Sequence, residues 1–597
     1  MKIISCSALS ILILLFAGCA KISPSKVSSG SESEADQTFA RLAEEFTAGY
    51  LAWRPQAGVS LGFHQYDGKA TDFSRGSIEA EMKRLKDFDE KLSAFDTRTL
   101  SPHSLYDFRI LQTAIRTDRF KFEQMESYTK NPMSYADALD VNIYIKRDFA
   151  PLEQRVKSII AIEEQAPAMM AAARANLAQS LPTPYVETAI EITKGAADFL
   201  SKDLVEGVKE LKDEPLRRQL NAANEKAIAE LKEYAAYLEK EKMPKAGAAY
   251  ALGREKFQKM LREEELINLS PEQVLEIGLK ELRREQEIFG EAARKIDSSK
   301  KPIEVFKAIQ HEHPTEANLI PDTRKDLEAI RQFVIDHKII TLPSQVRARV
   351  EETPQFMRAT SFASMDTPGP FERIATEAYY YVTPVEKDWP ATQKEEWLTA
   401  FNYYTTDVVS IHEAYPGHYV QFLALNASPA NKLEKTFNSY AFVEGWAHYA
   451  EQMMLDQGFG ANGSRSGSNA DSILAAKYRL AQSDEALLRL CRLCVSIKTH
   501  CQGMTVDEAT KFFEENCYYE HKPARQEAIR GTFDPGYLYY TLGKLQILKL
   551  RMDYQCQQGS SFSLQKFHDQ LLRHGAPPLR LLREIMLKDP AAWDQIL

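Results

Sequence analysis

The chain has no excess of positive charge, and this removes one broad class of function. Its 75 lysines and arginines are outnumbered by 84 aspartates and glutamates, so the formal net charge is −9. Proteins that bind nucleic acid through its phosphates carry clustered cations, and this balance gives no electrostatic reason to expect such a partner. Hydrophobic residues make up 44% of the chain and charged residues 27%, as in ordinary soluble globular proteins.

Long apolar runs are absent after the N-terminus, so the sequence predicts no later membrane-spanning segment. At the N-terminus, Lys2 precedes an apolar run from Ile3 to Phe16 that is short for a bilayer and closes with F-A-G-C. The small residues before Cys19 resemble a bacterial lipoprotein signal, in which Cys19 becomes the acylated first residue. The alternative is an ordinary secretory signal with an incidental cysteine.

This N-terminal pattern predicts where the protein is found. We expect a lipoprotein signal peptide at 1–18 and a flexible, serine-rich tether at 19–35. Ala20 follows the cysteine in place of aspartate, which fits the outer-membrane default of such signals. The predicted location is the bacterial cell envelope, with a lipid anchor in the outer membrane and the protein facing the periplasm.

Cysteines are few, and only five lie beyond Cys19. Export permits disulfides, and an odd number leaves at least one thiol free unless pairing is intermolecular. The C-R-L-C at 491–494 has the spacing of redox or zinc motifs, but no second C-x-x-C follows and the surroundings have helical patterning. We interpret these cysteines as buried or disulfide-bonded structural residues, and we predict a Cys501–Cys517 pair.

Helical periodicity dominates from about Gln37 to Ile296 and resumes near Lys394, with apolar residues at three- and four-residue spacing. Ser270 is a predicted helix cap with Pro271 at the first helical position. No fixed-period repeat is evident, which favours an irregular helical array over a solenoid. One strand is predicted at Ala378–Thr383, rich in β-formers. It either pairs with an extended substrate backbone or forms a small structural hairpin.

Residues 411–419, I-H-E-A-Y-P-G-H-Y, come close to a zinc-hydrolase motif. In H-E-x-x-H, two imidazoles at i and i+4 share one helix face and the glutamate serves as general base. Here His418 follows His412 by six positions. At 100° per residue, six positions leave a side chain about 240° from its start, whereas four leave it about 40° away. An undistorted helix therefore cannot direct both rings to one ion.

The residues between the two histidines offer a remedy. Pro416 cannot donate a helical hydrogen bond, and Gly417 tolerates unusual backbone angles. A break or bulge there can bring His418 round to the side of His412. We therefore predict that the helix is distorted between Tyr415 and His418.

A hydrolytic zinc needs three protein ligands and an open position for water. The segment S-Y-A-F-V-E-G-W-A-H-Y-A-E at 439–451 supplies the third candidate, because Glu444 follows His418 by one loop and a second helix. His448 and Glu451 share the helix face of Glu444. Glu444 is the predicted ligand. His448 either ligates or supports a ligand, and Glu451 orients one from behind. The alternative is an amphipathic helix with incidental charges.

The two motifs together resemble the bacterial family known as domain of unknown function 885, whose pattern is H-E-x-Y-P-G-H followed by E-G-W-A-x-Y-A-E. Similar stretches occur upstream, in A-L-G-R-E-K-F-Q-K-M-L-R-E-E-E, and downstream, in F-D-P-G-Y-L-Y-Y-T-L-G-K-L and F-H-D-Q-L-L-R-H-G-A-P-P-L. The resemblance covers nearly all of the chain after the tether. That family looks like a distant relative of helical gluzincins such as angiotensin-converting enzyme and carboxypeptidase Taq. The relation implies a helical shell around a deep cleft, a zinc ion and peptide cleavage.

The resemblance also implies donors for the oxyanion. In the related peptidases a tyrosine downstream of the zinc helices has this role, and Tyr540 occupies a suitable position beside its competitor Tyr539. His500 is a second candidate donor, with a structural role as the alternative. Many family members carry aspartate four residues before this histidine, whereas this chain has Ser496, so a supporting hydrogen bond is in question. Arg530 either pairs with a peptide carboxylate or forms a surface salt bridge.

The predicted function is zinc-dependent hydrolysis of peptide bonds. The deep cleft that the resemblance implies would favour short peptides over folded proteins as substrates. Zinc, held by His412, His418 and Glu444, activates water; Glu413 is the general base and Tyr540 stabilises the oxyanion. One alternative is a metal-dependent hydrolase of other amides or esters. Another is a non-catalytic envelope lipoprotein that keeps the fold for binding. Peptide specificity, endo- or exo-cleavage and oligomeric state are left open.

The predicted fold is mainly α. We expect a large multi-helix array around a cleft, with a small β-sheet next to the metal-bearing helices. The working division is a helical N-terminal lobe at 36–345 and a metal-bearing catalytic lobe at 346–597, and both lobes can share one continuous core.

Overall fold

The computed structural model describes residues 33–354, 358, 362–461 and 472–597. The predicted signal peptide, the predicted lipidation site Cys19 and most of the predicted tether lie outside the described residues. The first helix begins at Glu34, where the side chain of Ser33 accepts a hydrogen bond from the backbone N–H of Asp36 at 3.0 Å. Residues 34 and 35, which were predicted as the end of the tether, are therefore helical.

The described part of the chain is mainly helical, which confirms the predicted fold class. The described helices that precede the sheet are α1 (Glu34–Trp53), α2 (Pro55–Ser60), α3 (Arg75–Ser93), α4 (Pro102–Glu123), α5 (Ser127–Lys130), α6 (Met133–Ala136), α7 (Ile143–Lys146), α8 (Leu152–Glu163), α9 (Ala166–Asn176), α10 (Thr183–Ser201), α11 (Asp203–Gly207), α12 (Glu214–Tyr237), α13 (Arg254–Glu265), α14 (Pro271–Ile296), α15 (Pro302–Gln310) and α16 (Leu319–Asp336). Those that follow it are α17 (Ala391–Ala400), α18 (Tyr403–Glu413), α19 (His418–Ala427), α20 (Lys432–Thr436), α21 (Tyr440–Asp456), α22 (Ser472–Gln502), α23 (Val506–Cys517), α24 (His521–Phe533), α25 (Tyr539–Gln558), α26 (Leu564–Leu572) and α27 (Leu579–Met586).

Local sequence signals account for the helix ends. At the start of α14, Ser270 and Gln273 bond reciprocally to each other's backbone N–H, and Pro271 occupies the first turn, as predicted. The last turn of the same helix carries Arg294 and Lys295, which suit the negative end of the helix dipole. Among the described residues, no helix has both the length and the apolar composition needed to cross a bilayer.

A small sheet lies next to the helices that carry the histidine motif. Its strands are β1 (Arg349–Glu352), β2 (Ala363–Asp366) and β3 (Tyr379–Val382), in the order β1-β3-β2. The central strand β3 confirms the predicted strand; it runs parallel to β1 and antiparallel to β2. Ser410 of α18 donates a hydrogen bond to the hydroxyl of Tyr380 at 3.2 Å, which joins the sheet to that helix. The predicted position of the sheet is thereby confirmed.

The buried side chains form three clusters. The largest contains residues of α13–α16 together with residues of the sheet, of α18 and α19, and of α21–α27. The second lies within the first half of the chain, apart from Ala375, and the third joins α1, α3 and α4 to Leu433 and Leu581. The division into lobes at 345/346 stays a prediction, and the largest core extends across it.

The predicted Cys501–Cys517 disulfide is wrong. The five cysteines in the described residues are free thiols. Cys517 lies at the end of α23, where its thiol donates to the carbonyl of Phe513 at 3.1 Å, and it interacts with Cys491. Ten residues separate Cys491 from Cys501 on α22, which is about 15 Å along a helix. Cys491 and Cys494 are fully buried, which agrees with a structural role for the C-R-L-C segment.

Candidate metal centre

The helix that carries the histidine motif is interrupted where the sequence predicts. Helix α18 ends at Glu413 and α19 begins at His418, and the Tyr415–Pro416 peptide bond between them is cis. Gly417 has φ −65° and ψ −135°, a combination outside the usual regions for residues with a Cβ. A Cβ there would lie 1.7 Å from the carbonyl oxygen of His412, so the chain can turn back this closely only at glycine.

Three predicted ligands converge across this break. The Nε2 atoms of His412 and His418 lie 3.6 Å and 3.5 Å from Oε2 of Glu444, and the two rings are nearly perpendicular with centroids 4.8 Å apart. One ligand atom from each residue lies within 4.8 Å of the others. Tetrahedral coordination at about 2.0–2.2 Å separates ligand atoms by about 3.3–3.6 Å, so the spacing fits a zinc ion.

The hydrogen bonding of Glu444 also fits a metal ligand. Its Oε2, the atom that faces both rings, is buried and has no hydrogen-bond partner among the described residues. Burial alone would raise the pKa of this carboxyl, but contacts with His412 and His418 outweigh it and hold the pKa well below its ordinary value. An ionised carboxylate with a lone pair aimed between two imidazoles is the donor arrangement that a divalent cation requires.

Glu451 orients the first histidine from behind. It is fully buried, and its Oε1 lies 2.7 Å from Nδ1 of His412. When Nδ1–H donates to this carboxylate, the lone pair of Nε2 is directed to the metal position. Burial opposes ionisation of Glu451, but the Arg489 guanidinium at 3.4 Å and two histidines hold its pKa well below the ordinary value.

His448 lies behind the group of ligands and does not belong to it. Its Nδ1 bonds the second oxygen of Glu451 at 3.0 Å, and the ring is almost completely buried. Burial, helped by the nearby Lys544 ammonium, lowers the pKa of His448 to about 3, so the ring is neutral. Of the two roles predicted from sequence, the structure therefore favours support of Glu451.

Glu413 lies between the ligands and the edge of the sheet. Its Oε2 accepts a hydrogen bond from the backbone N–H of Met365 on β2 at 3.3 Å. The side chain is half-buried, which leaves it partly accessible to water. A carboxylate next to a metal ligand and open to solvent can accept a proton from attacking water.

Tyr540 faces the site, whereas Tyr539 points away from it. Both rings pack against Tyr440, one turn before Glu444, with centroid distances of 5.7 Å for Tyr540 and 6.0 Å for Tyr539, so other contacts distinguish the two. Burial raises the pKa of Tyr540, and the negative charge of Glu444 raises it further. Tyr539 is fully buried and donates its hydroxyl proton to Glu264 at 3.2 Å. The structure thus separates two neighbours that the sequence left as competitors.

A close crossing of α21 and α25 brings Tyr540 beside Glu444. The two helices meet at Gly445 and Gly543, and a Cβ added to Gly445 would lie 2.5 Å from the Cα of Gly543. Sequence reasoning missed this contact, although each glycine interrupts a helical pattern, which is itself a signal of close packing. It also missed Arg489, whose contact with Glu451 is made only in the folded chain.

His500 is not among the side chains that converge at the candidate metal centre, and its oxyanion role stays a prediction. Its Nδ1 accepts from the backbone N–H of Leu252 at 3.2 Å and its Nε2–H donates to the carbonyl of Gly531 at 2.8 Å. Burial lowers its pKa to about 4, in keeping with this neutral form. Arg489, which reaches Glu451, lies eleven residues earlier on α22, about 16 Å along the helix. Arg530 pairs with Asp534 at 2.9 Å.

A cavity of about 550 Å³ lies between α4, α13 and the start of α21. Tyr440 forms part of its wall and connects it to Tyr540. Its charged lining residues are Asp118, Lys121, Glu264, Glu265 and Asp534, four carboxylates against one ammonium. Burial raises the pKa of Glu264 to about 7 and that of Glu265 to about 8. The cavity is wide enough for a side chain. Because Glu265 keeps its proton near neutral pH and Asp118 and Asp534 pair with Arg54 and Arg530, the lining carries little net charge.

The fold and this group of residues define a mainly helical protein with a candidate three-ligand metal centre. The chain belongs to the bacterial family of unknown function DUF885, whose profile matches residues 55–586. No curated protein matches the chain.

Two solved structures share the fold. One is a candidate lipoprotein of unknown function from Shewanella oneidensis, with 24% identity and a TM-score of 0.75 over 92% of this chain and 100% of that one. The other is a candidate lipoprotein from Colwellia psychrerythraea, with 18% identity and a TM-score of 0.74, covering 92% of this chain and 98% of that one. A carboxypeptidase from Pyrococcus furiosus matches with 11% identity and a TM-score of 0.41, covering 94% of this chain and 96% of that one. This similarity is too weak to support a conclusion.

Proposed function

We propose that this protein is a zinc-dependent hydrolase that cleaves peptide bonds. The observation that carries the proposal is the convergence of His412, His418 and Glu444, with one ligand atom of each within 4.8 Å of the others, directly beside Glu413. Two imidazoles and one carboxylate form the ligand set of zinc hydrolases that keep a fourth position for water. The unpartnered, buried Oε2 of Glu444 supports occupation by a cation.

A bound zinc ion would supply a Lewis acid that lowers the pKa of water and polarises the scissile carbonyl. Glu413 then accepts the proton of the attacking water and delivers it to the leaving amine. Tyr540, whose hydroxyl stays protonated because its pKa is raised, donates a hydrogen bond to the developing oxyanion. Glu451 keeps His412 in the tautomer that leaves Nε2 free.

Two features favour a peptide as substrate. Strand β2 lies at the edge of the sheet, and its Met365 N–H already bonds Glu413, so an extended chain can pair alongside it next to the base. The cavity of about 550 Å³ is lined in part by Tyr440, whose ring packs against Tyr540, and it is wide enough for a side chain or chain end.

Zinc analysis and a peptide-cleavage assay on the same purified protein test the proposal. We expect wild type to bind zinc and cleave a library of short peptides, whereas Glu413→Gln keeps the zinc and loses cleavage by at least 100-fold. Glu276→Gln, at an exposed position of α14, is the matched control and should cleave normally. Unchanged peptide cleavage by Glu413→Gln would show that Glu413 is not the general base. Cleavage of small acyl substrates but not of peptides would favour the amide or ester hydrolase.

We also infer that the protein is anchored through lipid on Cys19 in the outer membrane, facing the periplasm. The small residues before Cys19 support this, and two proteins of the same fold are described as candidate lipoproteins. Labelling cells with a radioactive fatty acid should mark wild type and Cys6→Ser but not Cys19→Ser, which should move to the soluble fraction. Labelling of Cys19→Ser would contradict this assignment.

A further inference from the structure

A second group of metal-ligating side chains lies where α4 meets α20. His103 and Asp107 are four residues apart on α4 and so share one helix face, and Glu434 belongs to α20. One ligand atom from each of the three lies within 4.8 Å of the others. Glu434 precedes Glu444 by ten residues, and the candidate metal centre uses none of these three side chains.

The two carboxylates of this group are buried and incompletely bonded. Asp107 is 8% exposed; its Oδ2 accepts from the side-chain amide of Asn431 at 2.6 Å, but its buried Oδ1 has no partner among the described residues. Glu434 is 3% exposed and accepts from the backbone N–H of Asn431 at 2.5 Å. Buried carboxylate oxygens are almost always hydrogen-bonded or bound to a cation, so Oδ1 requires an explanation.

The charges around the pair do not balance. Among the described ion pairs, Asp107 takes part in one, with the exposed His103 at 3.9 Å, and Glu434 in none. Lys435 is adjacent in sequence, but its ammonium donates to the carbonyls of Asn426 and Ser428. Two neighbouring buried carboxylates repel each other unless a proton or a cation lies between them.

We propose that His103, Asp107 and Glu434 form a second divalent-metal site, of the class that takes Zn²⁺. One imidazole with two carboxylates is a donor set that suits zinc better than calcium, which prefers oxygen alone. The exposed His103 side chain can rotate onto the ion, and the open side of the site leaves room for water. Oδ2 of Asp107, which lies 3.9 Å from Nε2 of His103, keeps a free lone pair beside its bond from Asn431.

The position of this site indicates a structural role. The chain passes from α20 directly into α21, which carries Glu444. Between the helices, Ser439 donates its backbone N–H to the carbonyl of Ala576 at 2.6 Å, and Gly575 packs against the carbonyl of Glu434. An ion at the second site would fasten this junction to α4 and so hold the first turn of α21 in place.

Counting zinc ions in four proteins tests the proposal. Full-length protein is stripped with a chelator, equilibrated with Zn²⁺ alone and analysed for bound metal. We expect two ions per chain in wild type, one in Asp107→Asn, one in Glu444→Gln and none in the double variant. One ion in wild type that Glu444→Gln abolishes, or two retained in Asp107→Asn, would overturn the second site. Because Glu444→Gln removes only the candidate metal centre, the two proposals fail independently.

A second variant distinguishes a loss of metal binding from a loss of folding. Asp107→Asn changes a buried side chain, whereas His103→Ala changes an exposed one and leaves the buried pair intact. In a Glu444→Gln background, we expect His103→Ala to weaken the remaining zinc site at least 10-fold while the circular dichroism spectrum is unchanged. Zinc should also raise the melting temperature of Glu444→Gln but not that of the double variant with Asp107→Asn. Equal zinc affinity with and without His103 would overturn its role as a ligand.

Discussion

Replacing Glu451 with glutamine probes how the candidate metal centre is built. As a carboxylate, Glu451 accepts a hydrogen bond from Nδ1 of His412 at 2.7 Å and from Nδ1 of His448 at 3.0 Å. A glutamine has one acceptor oxygen and one NH₂ donor, so it can accept from only one of the two rings. If the NH₂ group faces His412, the proton of that ring moves to Nε2, the atom that would bind the metal.

The expected effect follows from the loss of this orientation. We expect Glu451→Gln to bind zinc about 10- to 100-fold more weakly, which corresponds to about 1.4–2.7 kcal/mol. The fold should persist because glutamine has the same shape. Arg489, which loses a charged partner at 3.4 Å, also forms an ion pair with Glu485 on its own helix. Far-UV circular dichroism checks that the variant is folded.

Competition with a chromogenic chelator measures the zinc affinity of each folded protein. Glu485→Gln is the matched control, because it removes a charge beside Arg489 without replacing the hydrogen-bond partner of His412. We expect its zinc affinity to stay within about twofold of wild type. Wild-type affinity in folded Glu451→Gln would refute the orientation argument. Equal weakening in both variants would assign the effect to the local charge instead of the hydrogen bond.

Three further predictions concern single residues. Gly417→Ala places a Cβ 1.7 Å from the backbone carbonyl oxygen of His412, so we expect equilibrium dialysis to show that zinc binding is lost. Gly195→Ala is the control; it lies at an open helical position and should bind zinc normally. Tyr540→Phe should lower kcat for peptide cleavage about 10²- to 10³-fold while the protein keeps its zinc. Tyr539→Phe should leave kcat unchanged; equal losses of kcat in the two variants would contradict Tyr540 as the oxyanion donor. Burial raises the pKa of the Glu163 carboxyl from its ordinary 4.5 to about 8. Between these pH values the folded protein keeps a proton on Glu163 that the unfolded chain releases. The free energy of unfolding therefore falls as pH rises from about 4.5 to about 8. Urea unfolding should therefore show Glu163→Gln more stable than wild type by roughly 3–5 kcal/mol at pH 8 and by little near pH 4.5; a pH-independent difference would be inconsistent with this account.

Much of the candidate site could be predicted because its logic is local. The six-residue spacing of His412 and His418 is incompatible with one regular helix, and Pro416 and Gly417 mark where it must break. The third ligand follows from periodicity, since Glu444 and Glu451 share one face of a helix whose apolar residues are regularly spaced. Helix caps and the central strand were also visible, because each depends on residues within a few positions.

The remainder depends on contacts between distant parts of the chain. Tyr539 and Tyr540 differ by about 100° around one helix, and only the packing of α25 on α21 decides which faces the metal ligands. The surroundings of His500 could not be predicted from the sequence, because its two hydrogen-bond partners, Leu252 and Gly531, lie far from it along the chain. A lone histidine in a sequence carries no sign of whether its ring nitrogens are already occupied by backbone groups.

Two close backbone contacts together determine the candidate site, and each depends on a missing side chain. At Gly417 the chain passes so near His412 that any Cβ would collide with its carbonyl, and this turn brings the two imidazoles to one point. At Gly445 and Gly543 two helices touch through their backbones, and this crossing brings Tyr540 to the carboxylate that completes the ligand set. The first contact alone would give a metal centre without an oxyanion donor. The glycines of E-G-W and L-G-K are therefore as necessary to the proposed hydrolysis as the histidines of H-E-A-Y-P-G-H.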